Sequence, residues 1–283
     1  MGYFKKFQES EGCEMRAIKF ILLIKLRKVI YMFFGSINGL FKMNKNILIL
    51  CYHGISNDDW RYSVDVDVFE RQLNYLVKYY SPITLEDVGF FIQGKKKIEK
   101  PSFVITIDDG YKDVLQLKDL FEKLNIRPTI FVLSDINNAN RKELETNREF
   151  LSKDEILFLI EAGWTIGSHG ATHPDFYRLS EEDIEKEIVS SKKNLEEELG
   201  IKIKYFAYPK GRYTNKVLDA VKKAGYSLGL SMNDSFINKT VNRLLIPRIG
   251  VDRTHSFVEF RSILLPLSIL FRKFIKEKTG VLI

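Results

Sequence analysis

The chain has 283 residues, 45% hydrophobic and 29% charged, which suits one large α/β domain or two small ones with a real core. A net charge of +7 admits nucleic acid, an anionic surface or an acidic substrate, but the middle of the chain has no aromatic-interleaved basic stripe and no zinc finger, which argues against nucleic acid. Its two cysteines, Cys13 in a polar head and Cys51 in an apolar run, predict neither a structural disulfide nor an oxidising compartment.

Residues 1–16 are polar and charged without a period. Residues 17–43 are apolar but interrupted by Lys25, Arg27 and Lys28. No run approaches the roughly 20 residues of a spanning helix. The bases within this segment also make it a poor match to the continuous apolar core of a secretory signal. The pattern fits a basic amphipathic helix lying in a membrane surface, with a helix packed on the protein's own core as the other reading. Residues 1–44 are therefore read as a basic N-terminal extension. The protein is expected to sit peripherally on an anionic membrane at its cytoplasmic face, with export to the cell surface as the alternative.

Residues 46–53 form a short apolar run too continuous for a half-exposed strand, ending in His53-Gly54. Phe69, Leu73, Leu76 and Val77 predict an amphipathic helix over 68–80, broken by Ser81-Pro82. Thr84 opens a short helix, and Gly94 to Lys97 read as a solvated turn. The next apolar run, 103–107, ends in Asp108-Asp109-Gly110. A helix over 112–124 and a strand over 129–133 follow, then a polar loop over 134–150. Ser152 and Glu155 form a capping box for a helix stopped by Gly163. Residues 164–167 predict a strand running into Ser168-His169-Gly170-Ala171-Thr172-His173. A helix over 180–199, a strand over 204–208, a helix over 214–224 and strands over 227–231 and 244–249 complete a repeating strand–helix pattern. That pattern predicts a parallel α/β architecture, barrel or doubly wound. Residues 257–283 read as an apolar, basic C-terminal helix.

The polar groups gather at strand ends: His53, Asp108 with Asp109, and His169 with His173. In a parallel barrel these open on one face. Alone, Asp108-Asp109-Gly110 is equally a helix-capping turn or a site. Two imidazoles and a carboxylate, however, form a three-ligand set that leaves positions for water and substrate, as in a catalytic zinc site. Gly167, Gly170 and Pro174 put the two histidines on a loop rather than a helix.

These residues resemble the polysaccharide deacetylase family, also called the NodB-homology or carbohydrate esterase 4 family. Thr106 to Gly110 resembles its first motif, Ser168 to His173 its second, and Ala207-Tyr208-Pro209-Lys210-Gly211 stands where its third belongs. The resemblance spans about residues 45–255. It implies a distorted (β/α) barrel of about seven strands over residues 45–256. It also implies a metal-dependent hydrolase that removes an N-acetyl group from an amino sugar of an envelope glycan, exopolysaccharide or lipid-linked sugar. The rivals are a secreted peptidoglycan or polyglucosamine deacetylase, an O-deacetylase, and a non-catalytic carbohydrate-binding barrel. Asp109, His169 and His173 would hold the ion, zinc by default, with cobalt, nickel or manganese also accommodated. Asp108 would be the general base, and a backbone N–H near Lys210 would meet the oxyanion. Tyr111 and Tyr208 are read as sugar-stacking rings or buried packing.

Two departures stand out. Ala207 replaces the arginine that orients the base in the family, and the late Leu-x-His that supplies the acid is absent. Tyr52-His53-Gly54-Ile55 resembles the branch containing poly-N-acetylglucosamine deacetylases, so His53 is preferred over His255 as acid. Arg248, at the end of another strand, is the expected substitute for the missing arginine, or else a salt bridge at the barrel rim.

Overall fold

Strands β1 (Ile47–Tyr52) and β2 (Ser102–Ile107) are buried at every position, which is why their sequences are continuously apolar rather than alternating. They pair in parallel from Ile47↔Ser102 to Tyr52↔Ile107. Strands β3 (Thr129–Val132), β4 (Thr165–Ser168), β5 (Tyr205–Ala207), β6 (Leu228–Leu230) and β7 (Ile249–Gly250) complete the main sheet. Its order is β7-β1-β2-β3-β4-β5-β6, with every pairing parallel. The sheet is a seven-stranded distorted (β/α) barrel. The computed structural model describes residues 26–31, 33 and 46–279, the side chains of 276–279 excepted.

Closure of the barrel differs from the sequence expectation. The strand expected over 244–249 is only Ile249–Gly250, preceded by a bridge from Ile246 to Leu230 of β6. Ile249 pairs with Leu50 of β1. Residues 246–250 thus cross from one edge of the sheet to the other and cannot follow either neighbour for long. Arg248 lies between the two contacts. Ser81–Pro82, expected only to break a helix, also adds a short parallel strand to the start of β2. A proline is tolerated there because the position is an edge.

Helices cover the outside. Val66–Tyr79 buries Phe69, Gln72, Leu73 and Leu76, and the Tyr52 hydroxyl donates to Gln72 Oε1 at 2.9 Å. The core joins Ile47, Ile49, Val104, Phe131, Leu228, Leu230 and Ile246 to Leu85 and Val88 of the helix Leu85–Ile92. Each such fully buried side chain contributes roughly 1.5–3 kcal/mol. Two expected helices prove irregular. Residues 112–124 begin as a 3-10 segment, Lys112–Leu117, before the α-helix Lys118–Lys123. Val114 and Leu117, three apart, share its buried side, the spacing that a 3-10 turn stacks. The helix from Glu181 to Leu199 contains a π-turn over Lys186–Ser190.

The chain divides into two units, residues 43–254 and the remainder on either side of it. In the second unit residues 26–31 and 33 are helical. The tail expected as one helix is two, Phe257–Ile263 and Pro266–Thr279, because proline starts a helix but cannot continue one. A Ser256–Glu259 capping box opens the first of them. Most of the expected head helix, and Cys13, lie outside the described residues; Cys51 is a buried free thiol.

Candidate metal centre and cleft

The C-terminal strand ends converge on one cleft, where loop residues can meet without disturbing the sheet. Asp108 and Asp109 follow β2, and the backbone turns sharply there, with φ of 71° at Asp109 and 74° at Gly110. Gly110 is required twice over, since a Cβ there would also meet Val132 Cγ1 at 2.9 Å. This turn sends the two carboxylates to different partners.

Asp109 faces the histidine loop that follows β4. Its Oδ1 lies 3.4 Å from His169 Nε2 and 3.6 Å from His173 Nε2. All three residues are buried, and one ligand atom from each lies within 4.8 Å of the others. Asp109 Oδ1 has no hydrogen-bond partner among the described residues. The His169 Nδ1–H donates to the Ala207 carbonyl at 2.9 Å, which aims Nε2 into the cluster. Burial pushes the His173 imidazole down to about 4, keeping it neutral. Burial also lowers His169, but the Asp108 and Asp109 carboxylates outweigh it and hold His169 above its usual value. Burial raises Asp109, yet the surrounding imidazoles, His169 foremost, bring it to about 2. An ionised carboxylate with an orphaned oxygen and two converging Nε2 atoms is a donor set that fits a divalent ion. His173 has φ of 62° and Asp109 71°, so two of the three donors sit on left-handed backbone. Such positions typically cost on the order of 1–3 kcal/mol and cluster at functional sites.

The histidine loop is held from behind. Glu187, on the π-turn, accepts from the Ala171 and Thr172 backbone N–H at 2.8 and 3.0 Å and from the Thr172 hydroxyl at 2.6 Å. No sequence signal identified Glu187.

Asp108 belongs to a second set. Arg248 grips it bidentately, Nη1 to Oδ1 at 2.6 Å and Nη2 to Oδ2 at 2.8 Å, with both residues buried. Burial alone would raise Asp108; the guanidinium and His169 instead hold it well below the usual carboxylate range. The Cys51 thiol donates to Oδ2 at 3.4 Å. His53 completes the group, with atoms of Cys51, His53 and Asp108 within 4.8 Å of one another. This second trio makes a poor cation site, because both Asp108 oxygens already serve a guanidinium. The Nδ1 of His53 is buried without a hydrogen-bond partner among the described residues.

Tyr111 and Tyr208 take the buried-packing reading rather than the sugar-stacking one. Tyr111 is fully buried, stacked on Phe150 at 5.5 Å and 11° and edge-on to Trp60, so neither face is open to a sugar. Tyr208 is also fully buried; its ring packs against Phe206 and its hydroxyl donates to the Leu244 carbonyl at 2.8 Å. Lys210 turns through left-handed backbone, φ 55°, and its ammonium pairs with Glu143. His255 lies in the other unit, where Arg272 Nη1 stands 3.2 Å from its Nε2. The rings that do surround His53 are Tyr62 at 5.4 Å and Trp60 at 6.4 Å, both half-buried. Arg148 fixes Trp60 from above at 5.0 Å while pairing with Asp58 and, at 2.7 Å, with Asp113.

A parallel barrel that opens an Asp-His-His donor set beside a separately gripped carboxylate has the layout of a metal-dependent hydrolase. A family model described as polysaccharide deacetylase matches residues 95–229. The Bacillus subtilis protein YxkH is 25% identical over 205 residues, covering 72% of this chain and 70% of its own. The poly-beta-1,6-N-acetyl-D-glucosamine N-deacetylase of Staphylococcus aureus is 27% identical over 202 residues, covering 66% of this chain and 67% of its own. Among solved structures, the Streptococcus pyogenes deacetylase PplD in complex with acetate superposes with a TM-score of 0.67 at 22% identity, covering 78% of this chain and 99% of its own; it speaks to the fold. Residues 95–229 of the chain are thus similar to the polysaccharide deacetylase family, and the relatives extend that similarity over about two thirds of it.

Proposed function

We propose that this protein hydrolyses the N-acetyl amide of an amino sugar in a bacterial glycan. The observation that carries the reading is the pair of adjacent carboxylates sent to different partners: Asp109 to two imidazoles, Asp108 to an arginine.

Asp109, His169 and His173 would hold the ion, with zinc favoured by a nitrogen-rich set of three. Such an ion supplies Lewis acidity toward the amide carbonyl and acidifies water. Asp108 takes the proton from the attacking water, and Arg248 keeps it ionised and aimed. His53, whose Nδ1 has no partner among the described residues, is the donor to the departing amine. Trp60 and Tyr62, half-buried around His53, replace Tyr111 and Tyr208 as the surfaces against which a sugar ring would lie. The analogy to the Staphylococcus aureus enzyme supports a polymeric N-acetylglucosamine substrate.

The test is acetate release from acetylated glucosamine oligomers by zinc-loaded protein, with an O-acetylated sugar assayed in parallel. Asp108→Asn should retain one equivalent of metal and lose turnover by roughly 100-fold or more, the scale of a positioned general base. Metal retention with full activity would remove Asp108 from its role. Release only from the O-acetyl ester would change the bond attacked.

A further inference from the structure

The helical unit is built with its apolar side outward. In the helix over 26–31, continued by Phe33, Arg27 and Tyr31 are buried on one side. Leu26, Val29 and Phe33, on the opposite side, are each more than half exposed. The helix Pro266–Thr279 repeats this: Ser268 and Arg272, four apart, are buried, while Leu270 and Phe274, also four apart, are more than half exposed. Beside the buried Glu259, Val258 is exposed as well. Six of the eleven large exposed apolar residues among the described ones lie in this small unit, so they are concentrated rather than scattered.

Polar groups hold the inside. Arg27 Nε pairs with Glu259 Oε1 at 3.0 Å, and the Ser262 hydroxyl donates to the Tyr31 carbonyl at 2.8 Å. The outward strips are therefore not a core left open, because the interior is already satisfied by other means. Charge follows the same division. Residues 1–42 and 255–283 hold 13 Lys and Arg against 5 Asp and Glu, a net of +8, whereas residues 43–254 hold 31 against 32, a net of −1. Lys28, Arg261 and Lys273 are exposed on the same helices as the apolar strips.

We infer that these exposed strips dock on an anionic membrane surface, their apolar side chains entering the headgroup boundary and the neighbouring bases meeting lipid phosphates. No helix among the described residues is long and apolar enough to cross a bilayer, and the contact proposed is a surface one. The inference is independent of the reaction in the cleft.

Sedimentation of the full chain with large unilamellar vesicles tests it. Vesicles of phosphatidylcholine with phosphatidylglycerol should bind roughly tenfold or more tightly than phosphatidylcholine alone, and less so as salt rises. The double variant Leu270→Glu/Phe274→Glu should lose most of that binding while keeping wild-type turnover on a soluble oligosaccharide. Val29→Glu/Phe33→Glu, on the other helix, should do the same. All four positions are exposed, so the fold tolerates the changes. No binding by the wild type, or unchanged binding by both variants, overturns the inference. So does a wild-type dimer that the variants dissociate, which would assign the face to a second copy of the chain.

Discussion

The barrel cleft and the helical unit both bury arginine–carboxylate pairs, with opposite consequences. In the cleft, Arg248 and Asp108 are sealed on the protein side, while Asp108 shares its neighbourhood with His53 and His169. The guanidinium there keeps a reactive oxygen charged. In the helical unit, Arg27 and Glu259 face each other inside while Leu26, Val29, Leu270 and Phe274 look outward. There the same kind of pair holds helices together without any adjacent chemistry. A buried ion pair thus says little about function until its surroundings are known.

The largest effect should come from the cleft's other carboxylate. Asp109→Ala removes one of three donors, and calorimetric zinc titration should show binding lost together with turnover, leaving acetate release at background. Retained stoichiometric zinc would mean that the ion sits elsewhere. The sharpest comparison replaces each arginine by methionine. Removing one partner of a buried pair costs about 3–5 kcal/mol of stability in either place. Only Arg248→Met should also reduce turnover on a soluble substrate; Arg27→Met should leave kcat as it was. Equal kinetic losses would erase the distinction between the two pairs. The Arg248 pair also sets an acid dependence. Asp108 is depressed in the folded state, so its stabilisation is complete above the ordinary carboxylate value near ~4 and fades as pH falls through the lower folded value. Denaturant melts at falling pH should show a steeper acid loss for the wild type than for Arg248→Met. The smallest effect belongs to Glu187. Glu187→Ala unties the histidine loop and should weaken zinc binding by about 10-fold, the lower end of what outer partners contribute, with Glu187→Gln restoring much of it.

Much of this was legible in the chain because buried parallel strands announce themselves as short apolar runs, and the residues ending those runs had nowhere to go but one face. Asp109, His169 and His173 could be grouped for that reason. Arg248 drew notice because Ala207 stood where a guanidinium was expected. What escaped depended on contacts that local periodicity does not encode. A π-turn over Lys186–Ser190 looks like ordinary helix in sequence, so Glu187 reads as one more surface acid. Tyr111 and Tyr208, next to the motifs, read equally as stacking rings or packing, and only their neighbours Phe150 and Phe206 decide for packing. Trp60 and Tyr62 sit in a polar stretch with no strand signal beyond Ser63–Val64, a two-residue strand paired with Gly54–Ile55. Only that pairing brings them to His53.

The segment over 246–250 closes the barrel and also carries Arg248. During synthesis, a chain emerging from the ribosome has Asp109, His169 and His173 by residue 173 but lacks the arginine partner of Asp108 for another 75 residues. Asp108 therefore meets its arginine only when the last strand joins the two edges of the sheet.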